Sequence, residues 1–262
     1  MPVPIHKTGL WKTLGQKSSG IYSTNLIGNF IPSASVFTTY WQNQVTSPST
    51  SALRRYNGIT HNSSSPANFQ FDGTNDFLGE ASSGYGGNAF NVAFQNAYTI
   101  GQWVYLPNTW SSGNKHVMFM LYNTDSNLIY AYIDGQSVKM ESKTSSGNLG
   151  PWTFANPNLI NNRNKWLYHT VSHDGSGLYK YYINGIFIDS TDASYAPSTT
   201  AKPLVVGFKG AGSGAAFYTS ANVKVGHIHV HSSELKNSQI RQNYLAIQSP
   251  TDARLYGDTT LA

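Results

Sequence analysis

Asn184-Gly185 is the pair of residues that most constrains what this chain can become. A two-residue type I′ turn needs positive φ at both central positions, and Asn-Gly tolerates that. Leu178 to Ile183 precedes the pair and Ile186, Phe187 and Ile188 follow it, so the segment reads as a β-hairpin. Upstream, Trp166 to Ser172 is rich in aromatic and β-branched residues and reads as a third strand. His173-Asp174-Gly175-Ser176-Gly177 between them is a cluster of turn formers. Strands joined this tightly leave no room for a crossover helix, so the sheet is expected to be antiparallel.

Other stretches carry the same signals. Ala97 to Val104 reads as a strand, with Tyr98, Ile100 and Gln102 on one face and Thr99, Gly101, Trp103 and Tyr105 on the other. Lys115 to Asn123 and Leu128 to Ile133 are further strands, and Asp134-Gly135 is a second hairpin signal. Val225 to His231 alternates strictly, which puts Ile228 and Val230 on one face and His227, His229 and His231 on the other. Ser233 is a candidate N-cap for a helix from Glu234 to about Ile247. Residues 1–65 are different. Prolines, serines and threonines break them into short apolar pieces with no sustained period.

Trp166, Asp174, Gly175, Tyr182, Asn184 and Gly185 form the pattern W-x-x-x-x-V-S-x-D-G followed by Y-Y-I-N-G. It resembles the core signature of laminin-G-like domains in the concanavalin A-like jelly-roll superfamily. Phe71-Asp72-Gly73 with Asp76-Phe77, Tyr98-Thr99-Ile100 with Trp103-Val104, and Pro203-Leu204 with Gly207 are similar to three further strand motifs of that family. From Val225 to Ile240 the hydrophobic spacing follows the family's closing strand and helix. The departures are Gly226 and His227, where the family often has acids, and Gln239 in place of Glu. They put the family's polar chemistry in doubt for this chain and leave the fold untouched. The resemblance runs from Phe69 to about Gln248. It implies an all-β, antiparallel jelly-roll sandwich over 66–262, with an irregular N-terminal arm over 1–65 and one C-terminal helix.

Several function classes are excluded or disfavoured by the residues present. Retaining glycoside hydrolysis needs two carboxyls about 5 Å apart. The chain has three glutamates, Glu80, Glu141 and Glu234, and none is a strand neighbour of another. No catalytic residue is assigned and the chain is expected not to be an enzyme. Cysteine is absent, which removes disulfides and thiolate metal sites. His227, His229 and His231 on one strand face have the chemistry to bind Zn²⁺ or Ni²⁺, and the favoured reading is an exposed face of the sheet. Asp76, Asp125 and Asp134 are too sparse for a hard cation, which takes several oxygens. No metal and no cofactor is therefore expected. Net charge is +5, but the basic residues are scattered rather than clustered, so nucleic acid is not an expected partner. No apolar run approaches a membrane span, and no apolar stretch follows Met1 to Lys7 as in a signal peptide. Synthesis in a host cytoplasm without membrane insertion is expected.

Sugars stack on exposed aromatics and hydrogen-bond to polar loop residues. Tyr85, Asn88, Trp110, Asn114 and Trp152 lie in predicted loops and are the candidate glycan-binding residues. Trp103 and Trp166, inside strands, are assigned to the core. Charged residues make up only 11% of the chain, against about 25% in ordinary soluble domains. With the family resemblance, this suits a non-enzymatic structural or adhesion component of a phage virion: a capsid decoration, head-fibre or tail-fibre subunit. A free lectin for cell-surface polysaccharide is the alternative, and a glycan hydrolase or lyase is disfavoured. Trp11, Tyr22, Phe37, Tyr40 and Trp41 are anchors on the arm. They predict docking on other virion proteins or on copies of the chain itself, with host surface glycan as a further partner; the competing account is that the arm completes the jelly roll as an edge strand and a cover for the core.

Overall fold

The computed structural model describes residues 21–32, 40–45, 52–64, 66–80, 92–93, 96–124, 127–144, 147–154, 159–192, 201–202, 204–209 and 217–247. In chain order the strands begin with β1 (Leu26–Phe30), β2 (Tyr40–Gln42), β3 (Ala52–Tyr56), β4 (Thr60–Asn62) and β5 (Asn68–Gln70). They continue with β6 (Phe77–Glu80), β7 (Val92–Ala93), β8 (Tyr98–Tyr105), β9 (Lys115–Thr124), β10 (Asn127–Asp134) and β11 (Ser137–Thr144). Next come β12 (Gly147–Thr153), β13 (Trp166–His173), β14 (Leu178–Ile183), β15 (Ile186–Asp192) and β16 (Ala201–Lys202). The last are β17 (Leu204–Val206), β18 (Phe208–Lys209), β19 (Phe217–Tyr218) and β20 (Lys224–His231), followed by helix α1 (Asn237–Ile247).

Two eight-stranded antiparallel sheets pack as the expected jelly-roll sandwich. The first runs β15-β14-β13-β8-β20-β5-β4, with β1 also paired to β20; the second runs β12-β11-β10-β9-β17-β6-β3-β2. The Asn184-Gly185 turn forms as the sequence predicts, with φ of 53° and 73° and Ile183 opposite Ile186. Between the sheets lie Tyr98, Ile100 and Val104 of β8, Ile129, Ala131 and Ile133 of β10, and Ile228 and Val230 of β20. The opposite face of the first sheet is also covered. Trp103, Trp166, Tyr168 and Tyr182 pack beneath Leu235, Ile240 and Tyr244 of the C-terminal segment. Trp103 and Trp166 are buried as assigned, under the helix rather than between the sheets.

Two expectations need correction. The helix starts at Asn237, not Glu234, and Ser233 does not cap it. The Ser233 carbonyl accepts a hydrogen bond from Thr99 Oγ1 at 2.9 Å, and the Leu235 amide donates to the same oxygen at 2.9 Å. This clamp holds residues 233–235 against β8. The start is tied off instead by Gln239 Oε1, which accepts from the Lys236 amide at 2.7 Å. The second correction concerns the arm. Its described part is built into the sandwich: β1 and β4 join the first sheet, β2 and β3 the second. Trp41 is fully buried, 5.5 Å from Phe30 and 4.6 Å from Phe69 between ring centres, so it is no anchor for a neighbour. These strands run three to five residues, too short to show a period in the sequence. Trp11 and Phe37 lie outside the described residues.

Candidate functional site

Of the five candidate glycan residues, Trp110, Asn114 and Trp152 are described. Tyr85 and Asn88 lie outside the described residues. Trp110 is fully buried: its indole Nε1 donates to the Gly135 carbonyl at 2.7 Å, and its own carbonyl accepts from Arg163 at 3.0 Å. It bolts one loop to another and offers no face to a sugar. Asn114 is a turn former, its Oδ1 accepting from the amide and hydroxyl of Ser111 at 2.7 and 2.9 Å. Trp152 stands on β12, an edge strand of the second sheet, half-buried against the core. Trp152 and Asn114 are the two of the five described with part of their surface exposed.

The histidine face is also corrected. His227, His229 and His231 are buried, not exposed, because β1 lies beside them and α1 lies over them. Among the described residues no group of three or more His, Cys, Asp or Glu side chains could hold a metal ion. Asp134 is paired with Lys139 at 2.7 Å. Asp76 is buried and accepts from the Asp72 amide, and burial raises its pKa. Asp125 lies outside the described residues.

What the fold does assemble is a cleft of about 390 Å³ between β14 and the start of α1, lined by Lys180, Tyr182, Glu234, Leu235, Lys236 and Asn237. Lys180 and Tyr182 alternate along β14 and so share its outer face. Glu234 to Asn237 arrive on the segment that Thr99 clamps. Lys180 Nζ donates to Glu234 Oε1 at 2.6 Å, and that hydrogen bond raises the lysine's pKa. Both side chains stay partly exposed, at 31% and 28%. Tyr182 donates its hydroxyl to Asn237 Oδ1 at 2.9 Å, and burial raises its pKa. Beside Tyr182, at 5.6 Å between ring centres, stands Phe187, 45% exposed, next to Ile186 at 53%. The hairpin tip that carries them is held by α1, where Arg241 donates to the Asn184 carbonyl at 2.8 Å.

The cleft can accept and donate hydrogen bonds on a partly apolar floor, with an exposed aromatic ring at its margin. It is not built for two-carboxylate hydrolysis. Among the described residues Glu234 is its one lining acid. Nearby Asp174 is committed to a turn. Burial pushes its carboxyl up, but hydrogen bonds from Ser176 and Leu178 outweigh that and hold it below its ordinary value. Glu141 lies on the other sheet, accepting hydrogen bonds from the phenols of Tyr130 and Tyr132. In the sequence the cleft was hidden. Its parts come from two segments some fifty residues apart, with Lys180 and Glu234 separated by 54 positions. The one local signal was the pairing of Phe187 with a tight turn.

Residues 78–241 match the Concanavalin A-like lectin/glucanases superfamily through its laminin-G-like branch, and the chain belongs to that family. No curated protein sequence matches it. Among solved structures it is similar to the botulinum neurotoxin serotype D binding domain, with a TM-score of 0.62 at 15% identity, over 84% of this chain and 50% of that one. It is also similar to the binding domain of botulinum neurotoxin DC in complex with rat synaptotagmin II, with a TM-score of 0.61 at 14% identity over 86% and 52%. A third is the botulinum neurotoxin serotype D ligand binding domain in complex with N-acetylneuraminic acid, with a TM-score of 0.61 at 15% identity over 84% and 50%. The chain spans about half the length of these solved chains. At such identities the likeness is one of fold.

Proposed function

We propose that this chain is a non-catalytic recognition domain that binds surface carbohydrate in the cleft between β14 and α1. The observation that carries this reading is the cleft's composition: hydrogen-bonding groups of Lys180, Tyr182, Glu234 and Asn237 beside the exposed ring of Phe187. Saccharides are held by that combination of a few placed polar groups and apolar contact. Membership of a lectin-containing superfamily supports it, as does a solved structure of the same fold with N-acetylneuraminic acid. The dispersal of the described carboxylates favours binding over hydrolysis.

We further propose that the domain works as a structural or adhesion subunit of a phage particle. A chain without cysteine and with 11% charged residues is in keeping with that role. Glycan-array binding with wild type and Phe187→Ala tests the recognition. Retention by wild type and loss in the variant is the expected result; retention of no glycan, or equal retention by both, would overturn it. Mass spectrometry of purified particles tests the placement, and absence of the chain from them would leave a free lectin.

A further inference from the structure

The seam between β1, β20 and α1 is held by neutral groups whose hydrogen bonds permit only one protonation state. Asn243 of α1 is fully buried at its centre. Its Oδ1 accepts from the Tyr22 amide at 2.7 Å, which fixes the direction of the carboxamide. The Nδ2 side is therefore a donor, and it points at His231 Nε2 at 3.3 Å and His229 Nε2 at 3.4 Å. His231 Nδ1 faces the Thr24 carbonyl at 3.3 Å and must be the protonated nitrogen, leaving Nε2 as the acceptor. A second proton on His231 would set N–H against N–H. Asn243 can relieve that only by turning its amide, and turning it gives up the Tyr22 amide.

The described neighbours offer little to offset a charge. From the β1 segment, Thr24 presents a carbonyl, Asn29 an amide oxygen to His227 and Tyr22 a ring 6.2 Å from that of His231. From β13, the Tyr168 hydroxyl meets His229, and its ring stacks on it at 5.4 Å. From β8, Gly101 lies so close that a Cβ there would be 2.4 Å from His229 Cε1. From α1 come Asn243 and, farther along, Tyr244, which packs on Tyr168 and under Arg241. The histidines face one another at 6.2 and 5.4 Å, so each charge opposes the next. The charged residues at the margins are otherwise engaged: Lys224 over Tyr105, Glu234 with Lys180, Arg241 with the Asn184 carbonyl.

We propose that His231, Asn243 and Tyr22 form an acid-operated latch: with His231 neutral the N-terminal strand stays docked on β20 and α1, and protonation of His231 releases it. β1 is the element to leave. Among the described residues its one strand partner is β20, through four residues, and its other edge is held by the short loop at Asn43 and Gln44 rather than by a strand. Burial already holds His231 down to about 4 and His227 to about 3. The docked state is thus fully favoured above the ordinary histidine pKa and loses ground as pH falls from there toward the docked values.

Amide hydrogen exchange of the full chain between pH 7.5 and 4.5, corrected for intrinsic rates, tests this. Freeing one histidine of pKa about 6.5 should lower protection of the Tyr22 and β1 amides about thirtyfold by pH 5.0. β8 and β13 amides also lose protection over this range as buried core histidines charge on global unfolding, but they should stay better protected than those of β1 at every pH. His231→Gln should flatten the β1 profile. Asn243→Asp, whose carboxylate accepts from both Tyr22 and a charged His231, should reverse its direction. The latch is overturned if β1 amides are as well protected as those of β8 throughout, so that β1 opens only with the whole domain, if β1 protection is constant across the range in wild type, or if His231→Gln retains the wild-type profile. The wild-type series decides even where a variant does not fold.

Discussion

Trp110→Ala separates the structural from the binding account of this residue. The indole is fully buried, and its Nε1 donates to the Gly135 carbonyl at 2.7 Å. Gly135 sits at a φ of 57° in the turn joining β10 to β11, and its amide donates to the Asn114 carbonyl at 2.9 Å. Trp110 therefore ties the loop before β9 to the turn after β10. Deleting a buried tryptophan side chain costs about 3–5 kcal/mol in transfer and cavity terms. The carbonyl left without its donor adds about 1–3 kcal/mol where water does not reach it. With an m value of about 3 kcal/mol/M, urea unfolding should shift its midpoint down by at least about 1 M. Trp110→Phe fills most of the space and loses only the hydrogen bond, so its shift should be the smaller. Glycan retention, measured on protein still folded, should survive in both. An unchanged midpoint in Trp110→Ala together with lost retention would refute the burial argument and return Trp110 to the binding surface.

Phe187→Ala and Lys180→Met should each weaken glycan retention. Both should leave stability within about 1 kcal/mol in urea titrations, because one ring is solvent-facing and the ion pair is partly exposed. Gly101→Ala would force a methyl to within 2.6 Å of His229 Nε2 and of the Tyr168 hydroxyl, both buried, so it should lower stability by about 1–3 kcal/mol in the same assay. His116 and His169 are buried, and burial, the largest cause, holds each at about 3. Their contribution is complete above the ordinary histidine value near 6.5 and is lost as pH falls from there toward 3, about 2 kcal/mol each by pH 5.0. Urea midpoints at pH 7.5 and 5.0 check this, and equal midpoints would contradict it.

The sandwich was legible wherever local chemistry and long-range packing agree. Asn184-Gly185 dictates its own turn, and the strict alternation of Ile228 and Val230 against three histidines fixes which face of β20 turns inward. Tyr98 and Ile100 fell on the core side of β8 and Trp103 on the other, as period-2 spacing requires. The strands of residues 26–62 were not legible. At three to five residues they hold too few alternations to stand out, and their pairing is decided by partners such as β20 and β6 far along the chain. The helix start was misplaced because Ser233 has the chemistry of a cap. Thr99, 134 positions away, takes up the Ser233 carbonyl and keeps the segment extended.

The site was harder to read than the fold, for a related reason. Residue type alone does not say whether a loop tryptophan faces water. Trp110 and Trp152 both sit beside glycine and serine or proline, yet one is sealed by the Gly135 carbonyl and the other stays half-open on an edge strand. Histidine is ambiguous in the same way. An alternating histidine strand reads as an exposed polar face until another layer covers it, and α1 with β1 is that layer. The cleft arises where that covering ends. Leu235, Ile240 and Tyr244 bury one stretch of the first sheet, including Tyr182 of β14, and the cover is incomplete at Lys180 on the same face. Lys180 and the ring of Phe187 remain accessible there, while Tyr182 is buried beneath the segment with its hydroxyl on Asn237. The extent of the cleft is thus set by where the C-terminal segment docks on the first sheet.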